Sequence, residues 1–201
     1  MSTSLRSIFQ AEAKAVGAIP EDQAFEDVVA LLYERIHQQG GKVIASGMGK
    51  AGQVANNIAT TFSATGTPAI FLHPSEAQHG DLGVIRENDV LLVLSNSGKT
   101  REILELVALT HQLHPGLPVV LITGNPEGAL VEKSVFTLHT GSPEEVCPLG
   151  LSPTTSTTVM MVMGDALTVL LMQKIGFTAK DYARRHHGGY LGEKLRNNHS
   201  R

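Results

Sequence analysis

The sequence holds a single cysteine, no block of like charge and no long uninterrupted apolar run, and each shortage excludes a class of protein. Cys147 alone cannot form an intramolecular disulfide framework, so a small secreted scaffold is ruled out. Charged residues make up 17% of the 201, the formal net charge is -3, and no five or six like charges are consecutive. A non-specific nucleic-acid or membrane-surface binder needs a basic stripe, which this chain lacks. No charged-then-apolar segment follows Met1, and a reducing cytoplasm is therefore the expected compartment. The most membrane-like stretch, Val159 to Ile175, is short for a bilayer, rich in threonine and interrupted by Asp165. It reads as a helix buried in a globular core.

What is present suits one well-buried domain: 42% of the residues are hydrophobic, with no repeat, low-complexity tract or Pro/Gly/Ser linker to divide the chain. Apolar positions recur at helical spacing over 3–16 and 22–38, with Gly17 to Pro20 between them. After Gly40-Gly41, short β-branched runs alternate with helical patterns: "KVIAS" and a helix to Thr65, "AIFLH" and a loop, "DVLLVLS" and a helix from Lys99 to His111, "PVVLIT" and a short helix near Ala129, then "SVFTLHT". Runs without strict period-two alternation, interleaved with helices, predict an α/β fold: a three-layer αβα sandwich around a five-stranded parallel sheet buried on both faces. The expected organisation is one domain over 1–201, with leading helices at 1–40, an α/β core at 41–140, and a C-terminal loop, buried helix and active-site tail at 141–201.

In such a sheet ligands bind beyond the carboxyl ends of the strands. The segments there are "SGMGKAG" (46–52), "HPSEAQHGDLG" (73–83), "SNSGKT" (95–100) and "TGNPEG" (123–128). A Ser/Thr/Gly loop entering a helix presents hydroxyls, unpaired amides and the positive end of the helix dipole, which together suit an anion. Ser95, Ser97 and Thr100 supply hydroxyls and Gly98 allows close backbone approach. An isolated Ser-Gly pair reads equally as a helix cap and a turn; three hydroxyls in six residues favour phosphate. Charge-assisted hydrogen bonds contribute roughly 1.5–3 kcal/mol each, so a few suffice to hold a phosphate on an acidic protein. The glycines at 47, 49 and 52 match G-x-G-x-x-G after a strand and keep a dinucleotide reading open. Against it, the second strand ends in His73-Pro74, without the acidic residue expected about 20 residues on. Lys50 follows the first glycine too closely for a Walker loop, and is either an anion ligand or a surface lysine.

With "GMGK", "HGDLG" and "SNSGKT" in place, the sequence resembles the sugar isomerase (SIS) domain family, whose fold is flavodoxin-like or Rossmann-like. "CPLGLSPTTSTT", "MGDAL", "GFTAKDYA" and "HHGGYLG" make it similar to the arabinose 5-phosphate isomerases of the bacterial Kdo pathway. The resemblance implies interconversion of D-ribulose 5-phosphate and D-arabinose 5-phosphate through an enediol, without a cofactor, feeding Kdo, lipopolysaccharide or capsule biosynthesis. It implies that Lys50, His79, Glu102, Glu145 and His186 line the active site. Ser46, Gly47, Ser95, Asn96, Ser97, Gly98 and Thr100 would form the phosphate-binding set. The reaction needs a base beside the carbonyl, an acid for the oxygen and a group that shuttles protons between oxygens. Glu145 is the expected base, His186 or His79 the acid or ring-opening group, and Lys50 the cation that steadies the enediolate. Glu102 also fits a purely dipole-complementing role in a helix's first turn, and Cys147 reads as a small packed residue.

No metal is expected, since the histidines show no H-x-x-x-H and the cysteine no C-x-x-C partner. The resemblance also implies a homo-oligomer, dimer or tetramer, with CMP-Kdo as a further small-molecule partner. Full-length relatives often continue into a pair of CBS modules; with this sequence ending at Arg201, a single-domain form without them is expected. Two features depart from the family pattern: Lys99 stands where glutamate is usual, and His187 where proline is usual. Two alternatives stay open: a non-catalytic regulator that binds a sugar phosphate or CMP-sugar, and an isomerase for another phosphosugar.

Overall fold

The computed structural model describes residues 4–187. Two helices lead, α1 (Leu5–Val16) and α2 (Ala24–Leu32). The strands are β1 (Val43–Gly47), β2 (Ala69–Phe71), β3 (Val90–Leu94), β4 (Val119–Thr123) and β5 (Phe136–His139). Between and after them come α3 (Gly49–Ala64), α4 (Pro74–Ala77), α5 (Arg101–Leu113), α6 (Thr155–Ile175) and α7 (Ala179–Ala183). All pairings are parallel, in the order β2-β1-β3-β4-β5, as the alternating pattern predicts.

Strand periodicity sorts the core into two layers. On β3, Val90, Leu92 and Leu94 join α2, α3 and α6 on one face, through Val28, Leu32, Ile58, Phe62, Met163 and Leu167. Leu91 and Val93 face the other way and meet Ile103, Leu106 and Leu130 beside α5. Every residue of β1, β3 and β4 is buried, which explains why these strands read as continuous apolar runs. At the lower edge Asp89, 1% exposed, accepts from the backbone N–H of Lys42 and Arg86 and from Lys42 Nζ at 2.7 Å. This pair ties the starts of β1 and β3 together.

Several elements differ from the sequence expectation. The second leading helix leaves α geometry at Tyr33 and finishes as a π turn to Gln38, with Gln39 N–H reaching Glu34 O at 3.0 Å. The short helix near Ala129 is one 3₁₀ turn, Val131–Lys133. The loop after β2 contains α4 and a 3₁₀ turn at Asp81–Val84. Part of the expected tail is α7, started by a capping box in which Thr178 and Asp181 satisfy each other's backbone N–H. The apolar helix expected at 159–175 begins at Thr155 and reaches 21 residues, long and apolar enough to cross a bilayer by length and composition. Length is therefore no argument against a membrane span; the burial of half its most apolar window is the stronger fact. Gly164 lets α6 cross α3 closely, since a Cβ there would lie 2.4 Å from the Ile58 side chain.

Candidate active site

The strand order reverses direction between β1 and β3, and a crevice opens at such a switch point in parallel sheets. Register sharpens this: Gly47 pairs with Leu94, so the loops leaving the two strands emerge side by side. The second loop is braced before any ligand arrives. Gly98 turns it, with φ +63° and its N–H on Ser95 O at 3.1 Å. The β4 loop supports it from beside: Asn125 Nδ2 donates to Ser97 O at 2.9 Å and Gly124 N–H to Asn96 O at 3.1 Å. The approach is so close that a Cβ on Gly98 would sit 2.9 Å from Gly128 Cα.

This bracing orients the hydroxyls. Ser95 Oγ, buried, lies 2.8 Å from Thr100 Oγ1, and Ser97 Oγ accepts from Lys99 N–H at 3.2 Å. Thr100 caps α5 without a side-chain cap bond, leaving the first-turn amides and the positive helix end to an incoming anion. Ser95, Asn96, Ser97 and Thr100 form one wall of a cleft of about 310 Å³, at the small end of the ~300–1,000 Å³ typical of ligand sites. Met48, Lys50 and Ala51 form the β1 side, and Pro153, Ser156, Thr157 and Met160 close it from the start of α6. Lys50 is exposed, its Nζ at 3.5 Å from Gln53 Oε1, a loose contact that leaves the ammonium available to a ligand.

Glu145 lies behind that wall. One oxygen, Oε2, accepts from Thr154 N–H at 2.7 Å, Thr154 Oγ1 at 2.9 Å and Ser156 N–H at 3.3 Å, while Oε1 accepts from Ser156 Oγ. Burial pushes its carboxyl up, but the hydrogen bonds from Ser156 and Thr154 outweigh burial and leave it below the ordinary glutamate value. The carboxylate therefore sits ionised at the N-terminus of α6, where the helix dipole favours it. It does not line the cleft; Ser156 stands between.

The other residues singled out in the sequence lie apart from the cleft lining. The Ser46 hydroxyl donates to Leu72 O at 2.7 Å, joining β1 to the end of β2. Gly47 faces a second cleft of about 290 Å³ with Gly49, Gly52, Gln53, Asn56, Phe71 and His73. Gly98 lies buried within the loop's turn. His79 is exposed just after α4, and Glu102 is half-buried in the first turn of α5. His186 follows α7 and stacks on Tyr182, ring centroids 3.7 Å apart, with Nδ1 against Tyr182 O at 3.1 Å. His187 is also among the described residues, whereas the rest of "HHGGYLG" lies outside them. Cys147 is half-exposed, and its Sγ accepts from Ser152 N–H at 3.1 Å and Leu151 N–H at 3.3 Å. The Ser152 N–H, ahead of the other loop amides, holds its thiol below the usual value.

Met48, Pro153, Ser156, Thr157 and Met160 were not legible as lining residues. "SPTTSTT" carried a signal for two of them, because it is a second hydroxyl-rich stretch entering a helix. A larger cleft, about 530 Å³, lies between the α1–α2 turn and α6. It shares no lining residue with the first cleft, and Glu21, Asp22 and Glu26 on its wall would repel a phosphate. Among the described residues no three His, Cys, Asp or Glu side chains form a potential metal site.

The profile of the SIS domain matches residues 35–170. The chain belongs to the SIS domain family. A Bacteroides fragilis NCTC 9343 protein, described as a candidate phosphosugar isomerase involved in capsule formation, is 58% identical; the match covers 92% of this chain and 97% of that one, with a TM-score of 0.91. An Escherichia coli CFT073 protein solved in complex with arabinose 5-phosphate is 33% identical, over 90% of this chain and 95% of that one, with a TM-score of 0.83. The arabinose 5-phosphate isomerase KdsD of Shigella flexneri is 45% identical over 193 residues, 93% of this chain. The chain spans 58% of that relative's length. As a member of the SIS family, the chain carries its hydroxyl loop and its glycine loop on adjacent strands of one parallel sheet.

Proposed function

We propose that this SIS domain is an aldose-ketose isomerase that interconverts D-ribulose 5-phosphate and D-arabinose 5-phosphate through an enediol, in the supply of Kdo for lipopolysaccharide or capsule. The carrying observation is the braced loop of Ser95, Ser97 and Thr100 facing Lys50 across a cleft of about 310 Å³, with an ionised carboxylate one residue behind the wall. The E. coli neighbour's complex with arabinose 5-phosphate and the names of the KdsD relatives support the choice of pentose phosphate.

The loop's hydroxyls and the amides at the start of α5 hold the phosphate. That grip orients the sugar toward Lys50, whose ammonium steadies the charge developing on the enediolate oxygen. Glu145 accepts substrate protons, while His79, His186 and Glu102 complete the acid and base work. Every step moves protons within one substrate, and no cofactor takes part. The protein acts in the cytoplasm as a homo-oligomer, a dimer or tetramer. Leu5 and Phe9 of α1 and Val169 of α6 are 68%, 63% and 51% exposed, an apolar surface that a second copy would cover. His186, outside its own chain's cleft, then serves a neighbour's. CMP-Kdo is a further small-molecule partner.

The test is to mix the purified protein with D-ribulose 5-phosphate without added cofactor and follow arabinose 5-phosphate, beside Ser97→Ala. Losing one charge-assisted hydrogen bond of roughly 1.5–3 kcal/mol should raise KM about tenfold to a hundredfold. Tight binding without product over hours would overturn the enzymatic reading in favour of a sensor.

A further inference from the structure

Glu145 has the chemistry of a proton acceptor but is not part of the cleft wall, and its two oxygens are unequal. Oε2 is saturated by three donors, Thr154 N–H, Thr154 Oγ1 and Ser156 N–H. Among the described residues Oε1 accepts from Ser156 Oγ alone, so Oε1 retains room for a proton. Ser156 lines the cleft and is 2% exposed, so little of it meets bulk water. A serine hydroxyl offers one donor and two acceptor lone pairs. It can therefore accept a proton on its cleft side while releasing its own to Oε1.

We propose that Ser156 is the proton relay between the substrate and Glu145, an inference that rests on the isomerase reading. In the relayed step the sugar O–H bond breaks as a new Ser156 Oγ–H bond forms. The original Oγ–H bond breaks as Glu145 Oε1–H forms. The electron pair stays on the sugar oxygen, beside the Lys50 ammonium, and the carboxylate becomes a neutral carboxyl group. Reversal of the same two transfers returns the proton to the neighbouring sugar oxygen. This is the oxygen-to-oxygen shuttle that aldose-ketose isomerisation requires, performed by a carboxylate that never touches the sugar. The arrangement also explains why a carboxylate serving a reaction is embedded in a helix N-terminus: the donors there keep it charged until the relay delivers a proton.

The experiment is steady-state kinetics on the full chain, as it assembles, with Ser156→Ala and Ser156→Thr, over a range of pH. For Ser156→Ala, kcat falls about a hundredfold, the low end for losing a positioned proton-transfer group, while KM changes little because the phosphate loop is intact. The acid limb of its kcat profile moves to higher pH, since Glu145 has lost a donor that favoured its charged form. Ser156→Thr, which keeps the hydroxyl, restores both. Should Ser156→Ala fail to fold, the wild type alone decides through its rates in mixtures of light and heavy water. A two-proton relay gives a curved dependence on deuterium fraction, and a straight one or none overturns it. Full activity in Ser156→Ala, or lost activity with an unmoved acid limb, overturns the relay while the isomerase reading stands. A wild type that does not turn over D-ribulose 5-phosphate overturns both.

Discussion

Replacing Glu145 with glutamine should destabilise the protein at neutral pH and cease to do so in acid. The amide oxygen can take the place of Oε2 and keep the bonds from Thr154 N–H, Thr154 Oγ1 and Ser156 N–H. The amide nitrogen can face Ser156 Oγ, which rotates to accept. The network's shape survives, then, and the change isolates the charge. Hydrogen bonds to a charged group are worth roughly 1.5–3 kcal/mol against about 0.5–1.5 for neutral pairs, and the favourable end of a helix dipole adds about 0.3–1 kcal/mol. A neutral amide is easier to bury, and solvent screens a partly exposed carboxylate, so part of the loss is offset. A net cost of about 1–3 kcal/mol follows, or ~2–12 °C in Tm for a domain of this size. The sign of the pH dependence is set by direction: the folded-state value lies below the ordinary 4.5. The charge therefore contributes its full stability above the unfolded value, and that contribution disappears as pH falls through the lowered one. Thermal melts of both proteins across this range should show a constant gap near neutrality that closes below about pH 4.5. Equal melting at pH 7, or a gap that persists at low pH, would refute the assignment of Glu145 as a charged cap of α6.

Two further predictions concern backbone and packing. Gly98→Ala forces φ +63° on a residue with a side chain and drives its Cβ to 2.9 Å from Gly128 Cα; a loss of about 1–3 kcal/mol is expected. With it should come weaker substrate binding by calorimetry, because the hydroxyls on either side move with the loop. Gly164→Ala places a methyl 2.4 Å from the Ile58 side chain and should lower stability to urea by about 1–3 kcal/mol, with KM preserved because the displaced contact is between α6 and α3.

Much of this arrangement is visible in the order of residues. Apolar β-branched runs between helical patterns already require a parallel sheet, and its strand ends already single out the hydroxyl loop. What could not be read off were features made by distant segments meeting. The π turn at Tyr33–Gln38 follows helical spacing as well as an α-helix does, so the pattern does not distinguish them. The resemblance puts Ser46 in the phosphate-binding set, but it lies within β1 and its hydroxyl is used on Leu72 O, 26 residues away. Glu145 is expected as the base from the resemblance, but nothing in the order of residues shows that the chain folds it back onto Thr154 and Ser156. α6 starts at Thr155, ahead of the apolar stretch at 159–175: threonines and serines are weak helix formers, but here a carboxylate from an earlier loop caps them.

The sequence by itself determined the class of fold and the hydroxyl-rich character of the loop after β3, because both depend on local order: hydrophobic period chooses strand or helix, and consecutive hydroxyls and a glycine suit one anion without help from elsewhere. Only the tertiary structure decided which side chains line the cleft together. The parallel register sets Gly47 beside Leu94, and α6, crossing at Gly164, brings Ser156 to the wall and leaves Glu145 behind it. Such meetings arise from the packing of layers, which spacing along the chain does not encode.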